Sequence, residues 1–268
     1  MHIVNPHESV IELTRLNPYG RFPDGRPRVP DELVERMKDV TTEQAWGVLH
    51  GHGFTNQFEG NWLRSHPERI LVGRVVTAMM VPRRPDLNGL VEDTGRKEGR
   101  IGGQNSWVID TLVPGDVMVV DMFGKIKEGT FVGDNLSTSL RAHTKAGAVI
   151  DGGVRDFQGI LVQPDFVIFC RGIDPTPISE TTLVGVNIPI RIGRTTVLPG
   201  DVVLGTVTGV VFVPPHLVQE VVERSEDIRM RDVFGKKRLL EGRYTPGEID
   251  TKWTEQIEQD YHDWLRTK

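Results

Sequence analysis

The chain has 268 residues, 38% of them apolar and 26% charged, with a formal net charge of −5. That length suits one large domain plus an extension, and the composition is ordinary for a globular protein. The acidic balance argues against a dedicated nucleic-acid binder, no unbroken apolar stretch is long enough to span a bilayer, and the single cysteine excludes an internal disulfide or a cysteine zinc site. The opening "MHIVNPHESVIELTR" lacks the apolar core of a signal peptide, so the expected compartment is the cytoplasm. Twenty-nine glycines and seventeen prolines call for many turns and a β-rich or mixed fold.

Residues 1–30 are polar and proline-containing and read as an arm, packed on something else or partly mobile. "PDELVERMKDVTTEQAWGVLHGHG" follows as a helical stretch with Leu33, Met37 and Val40 on one face. "ILVGRVVTAMMV", 70–81, is a β-branched run and predicts a strand. Residues 83–105 are polar and glycine-rich and read as a long loop, either closing over a site or lying at the surface. Pro114-Gly115-Asp116 predicts a turn into a buried strand at 117–122, and Pro199-Gly200-Asp201 repeats it before "VVLG". Between them, "GDNLSTSLRAHTKAGAVIDGGVRD" predicts a helix capped by Asp134 or Asn135 and ended by Gly147, then a short strand "AVID", then a tight turn at Asp151-Gly152-Gly153. Further strands are expected at 166–170 and 184–192. From Pro214 the chain becomes charged and helical. Its tail places Trp253, Ile257, Tyr261 and Trp264 at helical spacing, an aromatic stripe that must dock on the domain or on another subunit.

The stretch 133–156 carries the most chemistry. A helix starting near Asn135 presents unpaired N–H groups and the positive end of its dipole to an anion. A strand returning beside it brings Arg155 and Asp156 towards Asp134. A guanidinium grips carboxylates, and a free carboxylate holds Mg²⁺ or Mn²⁺ with water and substrate filling the remaining positions. The plainer alternative is that Asp134 only caps a helix while Arg155 and Asp156 form a surface ion pair. Elsewhere, His50 and His52 in "HGHG" are two apart on a helical segment and do not share a face. Met79, Met80 and Cys170 read as core, and His143 as packed or capping.

"GDNL…AGAVIDGGVRD" resembles the signature of the RraA-like family, and so do "LVGRVVT", "PGDVMVVD", "VNIPIRIGRTTVLPGDVV" and "GVVFVP" in that order. Twenty residues separate Asp134 from Arg155-Asp156, the spacing found in the family's active members. The resemblance implies an α/β fold of the swivelling β/β/α (phosphohistidine-domain-like) type. It divides the chain into an arm (1–30), an RraA-like catalytic domain (31–213) and a C-terminal helical extension (214–268) packing on a neighbouring subunit. It also implies a homotrimer or homohexamer. The activity implied is that of a carbon–carbon lyase dependent on Mg²⁺ or Mn²⁺. Such an enzyme cleaves a 4-hydroxy-2-oxo acid to pyruvate through an enolate, with oxaloacetate decarboxylation as a companion reaction.

By the same resemblance Asp156 binds the metal directly and Asp134 binds it through water. Arg155 holds the substrate's carboxylate or enolate oxygen, and the amides of Asn135 and Leu136 cradle the pyruvyl carboxylate. An acidic residue from the neighbouring subunit completes the site, Asp232 matching best, with Glu223 and Glu226 as alternatives. No lysine lies in the motif, which disfavours a Schiff-base aldolase. Two other outcomes fit the same family: a non-catalytic regulator that binds a ribonuclease or helicase, and a sugar-acid enzyme applying the enolate chemistry to another bond. Asp134 and the C-terminal extension favour an enzyme with a small 2-oxo acid as its partner, not nucleic acid or membrane.

Overall fold

The computed structural model describes residues 1–267. In chain order the elements are α1 (His7–Leu13), α2 (Asp31–Arg36), α3 (Thr42–Gly51), β1 (Phe58–Glu59), β2 (Leu63–Arg64), β3 (Leu71–Pro82), α4 (Pro85–Lys97), α5 (Gln104–Ile109) and β4 (Asp116–Asp121). There follow α6 (Asp134–Thr144), β5 (Gly147–Val154), α7 (Phe157–Leu161), β6 (Val167–Ile173), β7 (Thr181–Val186), the β8 (Ile190–Ile192) and β9 (Thr195–Val197) hairpin, β10 (Val202–Gly205) and β11 (Val210–Val213). The C-terminal part holds α8 (Val218–Leu240), α9 (Pro246–Ile249) and α10 (Glu255–Leu265).

A nine-stranded mixed sheet organises the chain in the order β1-β11-β10-β3-β4-β5-β6-β2, with β7 pairing the far half of β3. Strands β3 to β6 are parallel and joined through helices, so both of their faces must be covered. Alternation along each strand decides which face a residue serves. In β4, Met118 and Val120 join the core under α4–α7, whereas Val117 and Val119 face inward against Val203, Phe212 and the β8–β9 hairpin. The outer side of β10 and β11 buries Val202, Leu204, Val211 and Val213 beneath α2, α3 and the first half of α8. The sheet therefore curls on itself, with helices outside. Cys170 lies fully buried in the α4–α7 core, and burial pushes its thiol up to about 12, as inert as its apolar neighbours predict.

Several expectations change. The polar stretch 83–105 is not a loop: α4 starts with Pro85 at its first turn, and α5 follows. Its glycines obscured the helix, yet Gly95 is required inside it, because a Cβ there would collide with the Trp107 ring. The helical stretch after Pro30 is broken at Val40, where Thr41 and Gln44 form a reciprocal capping box that starts α3. The arm is docked, since Arg26 is 1% exposed and bonds both oxygens of Asp116. Helix α6 ends on Lys145 in a left-handed conformation, so Gly147 opens β5 and does not end the helix. Asp151-Gly152-Gly153 is not a turn but part of β5, with an irregularity between Ile150 and Gly153.

The aromatic stripe of the tail packs within its own chain, one of the two docking partners it called for. Ile257, Tyr261 and Trp264 close a small core on Phe234 of α8. Arg238 bonds Asp260 through two nitrogens, and Arg231 lies over Trp253 and Tyr261. Among the described residues no helix is long and apolar enough to cross a membrane.

Candidate active site

Residues 130–133 run beside the end of β5. Thr130 bridges Gly153 in parallel, the Phe131 N–H bonds the Gly153 carbonyl at 3.0 Å, and the Arg155 N–H bonds the Val132 carbonyl at 3.0 Å. This pairing carries Gly133 and the start of α6 to Arg155 and Asp156. The approach is so close that a Cβ on Gly133 would collide with Asp156 Oδ2 and stand 3.1 Å from Arg155 Nε. On the other side, a Cβ on Gly159 would lie 2.6 Å from Asp134 Cβ and 3.0 Å from its Oδ2. Asp134, Arg155 and Asp156 thus meet around two glycines, which is the grouping their spacing implied.

Asp156 sits at φ 50, ψ 39, left-handed for a residue with a side chain. Such a conformation costs on the order of 1–3 kcal/mol and persists only where surrounding structure imposes it. It turns the carboxylate back towards Gly133. The Arg155 Nε to Asp156 Oδ2 distance is 3.6 Å, with the side chains 42% and 47% exposed. That is a loose contact, not a hydrogen-bonded pair. Both groups keep most of their bonding capacity for something else.

Helix α6 begins one residue earlier than its sequence suggests, with Gly133 as the cap and Asp134 at the first helical position. Ser137 is the first residue whose N–H returns to the chain, at 2.9 Å from the Gly133 carbonyl. Of the two amides expected to cradle a carboxylate, the Asn135 N–H donates to Asp134 Oδ1 at 2.8 Å. Leu136 alone of that pair keeps an amide with no partner among the described residues. Asp232 lies exposed on α8 in a groove with Thr41, Gln44, Glu223 and Asp227, away from its own chain's Arg155. Glu226 bonds Arg36, which holds its carboxyl below the usual range. His52 bonds Glu220 and His50 stacks on Trp46, so neither joins the site.

Sequence reading missed the residues that hold this arrangement. Gln163 is buried between α7 and β6. Its amide nitrogen reaches Ser137 Oγ at 2.8 Å, Thr138 Oγ1 at 3.1 Å and the Asp134 carbonyl at 3.3 Å, clamping the first turn of α6. Asn105 at the start of α5 donates to the Phe131 carbonyl at 2.8 Å, so the unexpected helix supports the strand that carries Gly133. No local pattern marks either residue, because each acts across the fold.

The residues present suit a divalent cation of the Mg²⁺ or Mn²⁺ type. The Asp156 carboxylate makes no hydrogen bond among the described residues, Asp134 Oδ2 is likewise free, and such ions need only one or two protein carboxylates. Among the described residues no group of three or more His, Cys, Asp or Glu is placed to form a self-sufficient cage.

Comparison with known proteins bears on this geometry. Residues 38–212 match the RraA-like family, described as Aldolase/RraA. The chain belongs to the RraA-like family. A Halalkalibacterium halodurans protein provisionally named a 4-hydroxy-4-methyl-2-oxoglutarate aldolase is 31% identical over 42% of this chain and 53% of that one. An uncharacterised Methanocaldococcus jannaschii protein is 30% identical over 47% and 60%. The chain thus spans a little over half the length of these curated relatives. Among solved structures, Streptomyces coelicolor RraAS2, described as an unusual member of the RNase ES inhibitor RraA family, superposes with a TM-score of 0.64. It is 26% identical, and the match covers 82% of this chain and 99% of that one. An uncharacterised Pseudomonas syringae protein gives 0.68 at 22% identity over 87% and 96%, a likeness of fold. The RraA-like fold is therefore the frame of the α6–β5 site, and α1, α2, α8, α9 and α10 lie outside the family-matched range.

Proposed function

We propose that this RraA-like protein is a divalent-metal-dependent carbon–carbon lyase. It cleaves a 4-hydroxy-2-oxo acid to pyruvate and decarboxylates oxaloacetate by the same chemistry. The observation that carries the reading is the meeting of Asp134, Arg155 and Asp156 at the start of α6, with Asp156 held left-handed and neither charge of the Arg155-Asp156 pair consumed by the other. The aldolase relative points the same way.

Asp156 would hold the metal ion, with Asp134 beside it. When bound, the ion supplies Lewis acidity to the 2-oxo group. Arg155 places a fixed positive charge where the C2 oxygen gains negative charge as the C3–C4 bond breaks. The free Leu136 N–H and the α6 dipole face the substrate's carboxylate. The 4-hydroxyl proton leaves to Asp134 Oδ2, directly or through one water, and the leaving half departs as a carbonyl compound. The bonding pair passes to C3 as the enolate, which takes a proton there to give pyruvate. In decarboxylation CO₂ leaves with the same electron flow and no proton need be removed from a 4-hydroxyl. With Arg155 and Asp156 half exposed in one chain, the reading includes a trimer or hexamer in which a second subunit walls the site.

The test is oxaloacetate turnover with Mg²⁺ or Mn²⁺ by wild type, Arg155→Ala and Asp156→Ala. Loss of about 10²–10³-fold in both variants is expected. Unchanged turnover in the variants, or none in the wild type, overturns the reading. In that case the likeness to RraAS2 favours a regulator, which would instead retain a ribonuclease partner on purification.

A further inference from the structure

The two Pro-Gly-Asp turns are built alike. Gly115 and Gly200 have φ 84 and 86, and the Val113 and Leu198 amides donate to Asp116 and Asp201 Oδ2, each at 2.9 Å. They differ in what neutralises the carboxylate. Asp116 receives Arg26 on both oxygens, at 2.8 and 3.0 Å. Asp201 is just as deeply placed, 3% exposed, but its Oδ1 has no hydrogen-bond partner among the described residues. Burial pushes its carboxyl up to about 7, and only the Leu198 amide opposes that rise. No cation among the described residues offsets that rise.

Asp201 instead lines a cavity of about 410 Å³ with Leu13, Arg15, Leu16, Phe54 and His216. The volume is that of a small-molecule site, apolar walls around a few polar groups. Burial and the nearby His52 lower the His216 pKa, so His216 is neutral near pH 7 and cannot balance Asp201. Arg15 is exposed and enters no ion pair or hydrogen bond among the described residues. Leu16 is 62% exposed beside it. The cavity thus offers one buried carboxyl group, one unused guanidinium and apolar surface. Leu13, Arg15, Leu16 and His216 lie outside the stretch matched by the RraA-like family, whereas Phe54 and Asp201 lie within it, so the cavity forms where the N-terminal arm and the start of the C-terminal part close on the family domain.

We propose that this cavity binds a small amino acid, its ammonium group on Asp201, its carboxylate towards Arg15 and its aliphatic part against Leu13, Leu16 and Phe54. A buried carboxyl lacking a counter-ion favours an ammonium group, because pairing with a cation is what lets it hold its charge away from water. The site is separate from Arg155 and Asp156 and does not depend on the lyase reading.

The experiment is calorimetric titration of the full chain with L-leucine and with 6-aminohexanoate, which set the ammonium and carboxylate at short and long separations. Their counterparts without nitrogen, 4-methylpentanoate and hexanoate, serve as controls. Saturable binding of at least one amino acid below about 10 mM is expected, with the matching control at least tenfold weaker. Asp201→Asn, which keeps an acceptor for the Leu198 amide, should weaken binding by on the order of a hundredfold. Leu16→Trp, at the exposed mouth, should block binding with the fold intact. Arg155→Ala should leave binding unchanged. No binding of either amino acid, equal binding of the controls, or unaltered affinity in both Asp201→Asn and Leu16→Trp overturns the proposal.

Discussion

The six residues from Asp151 to Asp156 feed two charged clusters on opposite sides of β5, and the two are built to different ends. Asp151 points to the side of the β8–β9 hairpin, where Arg171 Nε bonds it at 2.6 Å while Arg171 Nη2 bonds Glu59 at 2.9 Å. The Trp62 ring covers the guanidinium at 3.7 Å, and the three charged side chains are 7–16% exposed. On the helix side, Arg155 and Asp156 stand 3.6 Å apart, nearly half exposed, on a left-handed backbone. A charge whose bonds are filled inside the chain holds structure together. A charge left with open bonds on a strained backbone is available to a ligand.

The largest expected effect falls on the closed cluster. Arg171→Ala leaves Asp151 without a cation and Glu59 with only the exposed Arg194, and should lower unfolding free energy by about 3 kcal/mol in urea titration. A loss below about 1 kcal/mol would place it with ordinary surface pairs and erase the contrast. Next come the glycines of the open cluster. Gly133→Ala must displace Asp156, and Gly159→Ala must displace Asp134; each should cut oxaloacetate turnover by about 10²-fold. Stability should change by only about 1 kcal/mol. Turnover at the wild-type level would mean that the close approach is unimportant for chemistry.

A smaller effect sharpens the closed side. Asp121, beside Asp151 on the adjoining strand, has its pKa raised chiefly by burial, with the Asp151 charge adding. A raised carboxyl pKa means the folded chain holds that proton longer than the unfolded chain. Its contribution is therefore most favourable below the unfolded value, about 4, and is lost as pH rises through the folded value. Asp121→Asn should thus flatten the fall in stability with rising pH and gain most over wild type at neutral pH, as thermal melts across that range would read. A gain at acid pH alone would contradict the sign. The smallest effect is the Arg155–Asp156 coupling: a double-mutant cycle on stability should give no more than about 1 kcal/mol. A larger value would make the pair structural and return it to the surface-ion-pair reading.

Much of this site was legible in the chain. Arg155 and Asp156 are adjacent, Asp134 precedes them across twenty intervening residues, and the helix start at Asp134 follows from Gly133 and the polar residues after it. The route by which they meet was not legible. It depends on residues 130–133 pairing beside 153–155, which made the two glycines of "DGGVRD" part of a strand where local preference reads a turn. Helix α4 was hidden for a related reason: its glycines and polar face read as a loop, while the Trp107 ring that requires Gly95 lies twelve residues away.

Local chemistry in the sequence therefore determined the strands of alternating apolar residues, the two Pro-Gly-Asp turns, the helical C-terminal stripe and the choice of Asp134, Arg155 and Asp156 as site candidates. These depend on periods of two and 3.6 residues and on turn geometry, all read over a few neighbours. Only the tertiary structure decided which charges are closed and which remain open. Arg171 reaches Asp151 and Glu59 across strands, Arg26 reaches Asp116 from ninety residues away, and among the described residues no cation pairs with Asp201 and no hydrogen bond engages the Asp156 side chain. Charge pairing is a matter of distance in space, and identical Pro-Gly-Asp strings carry no record of it.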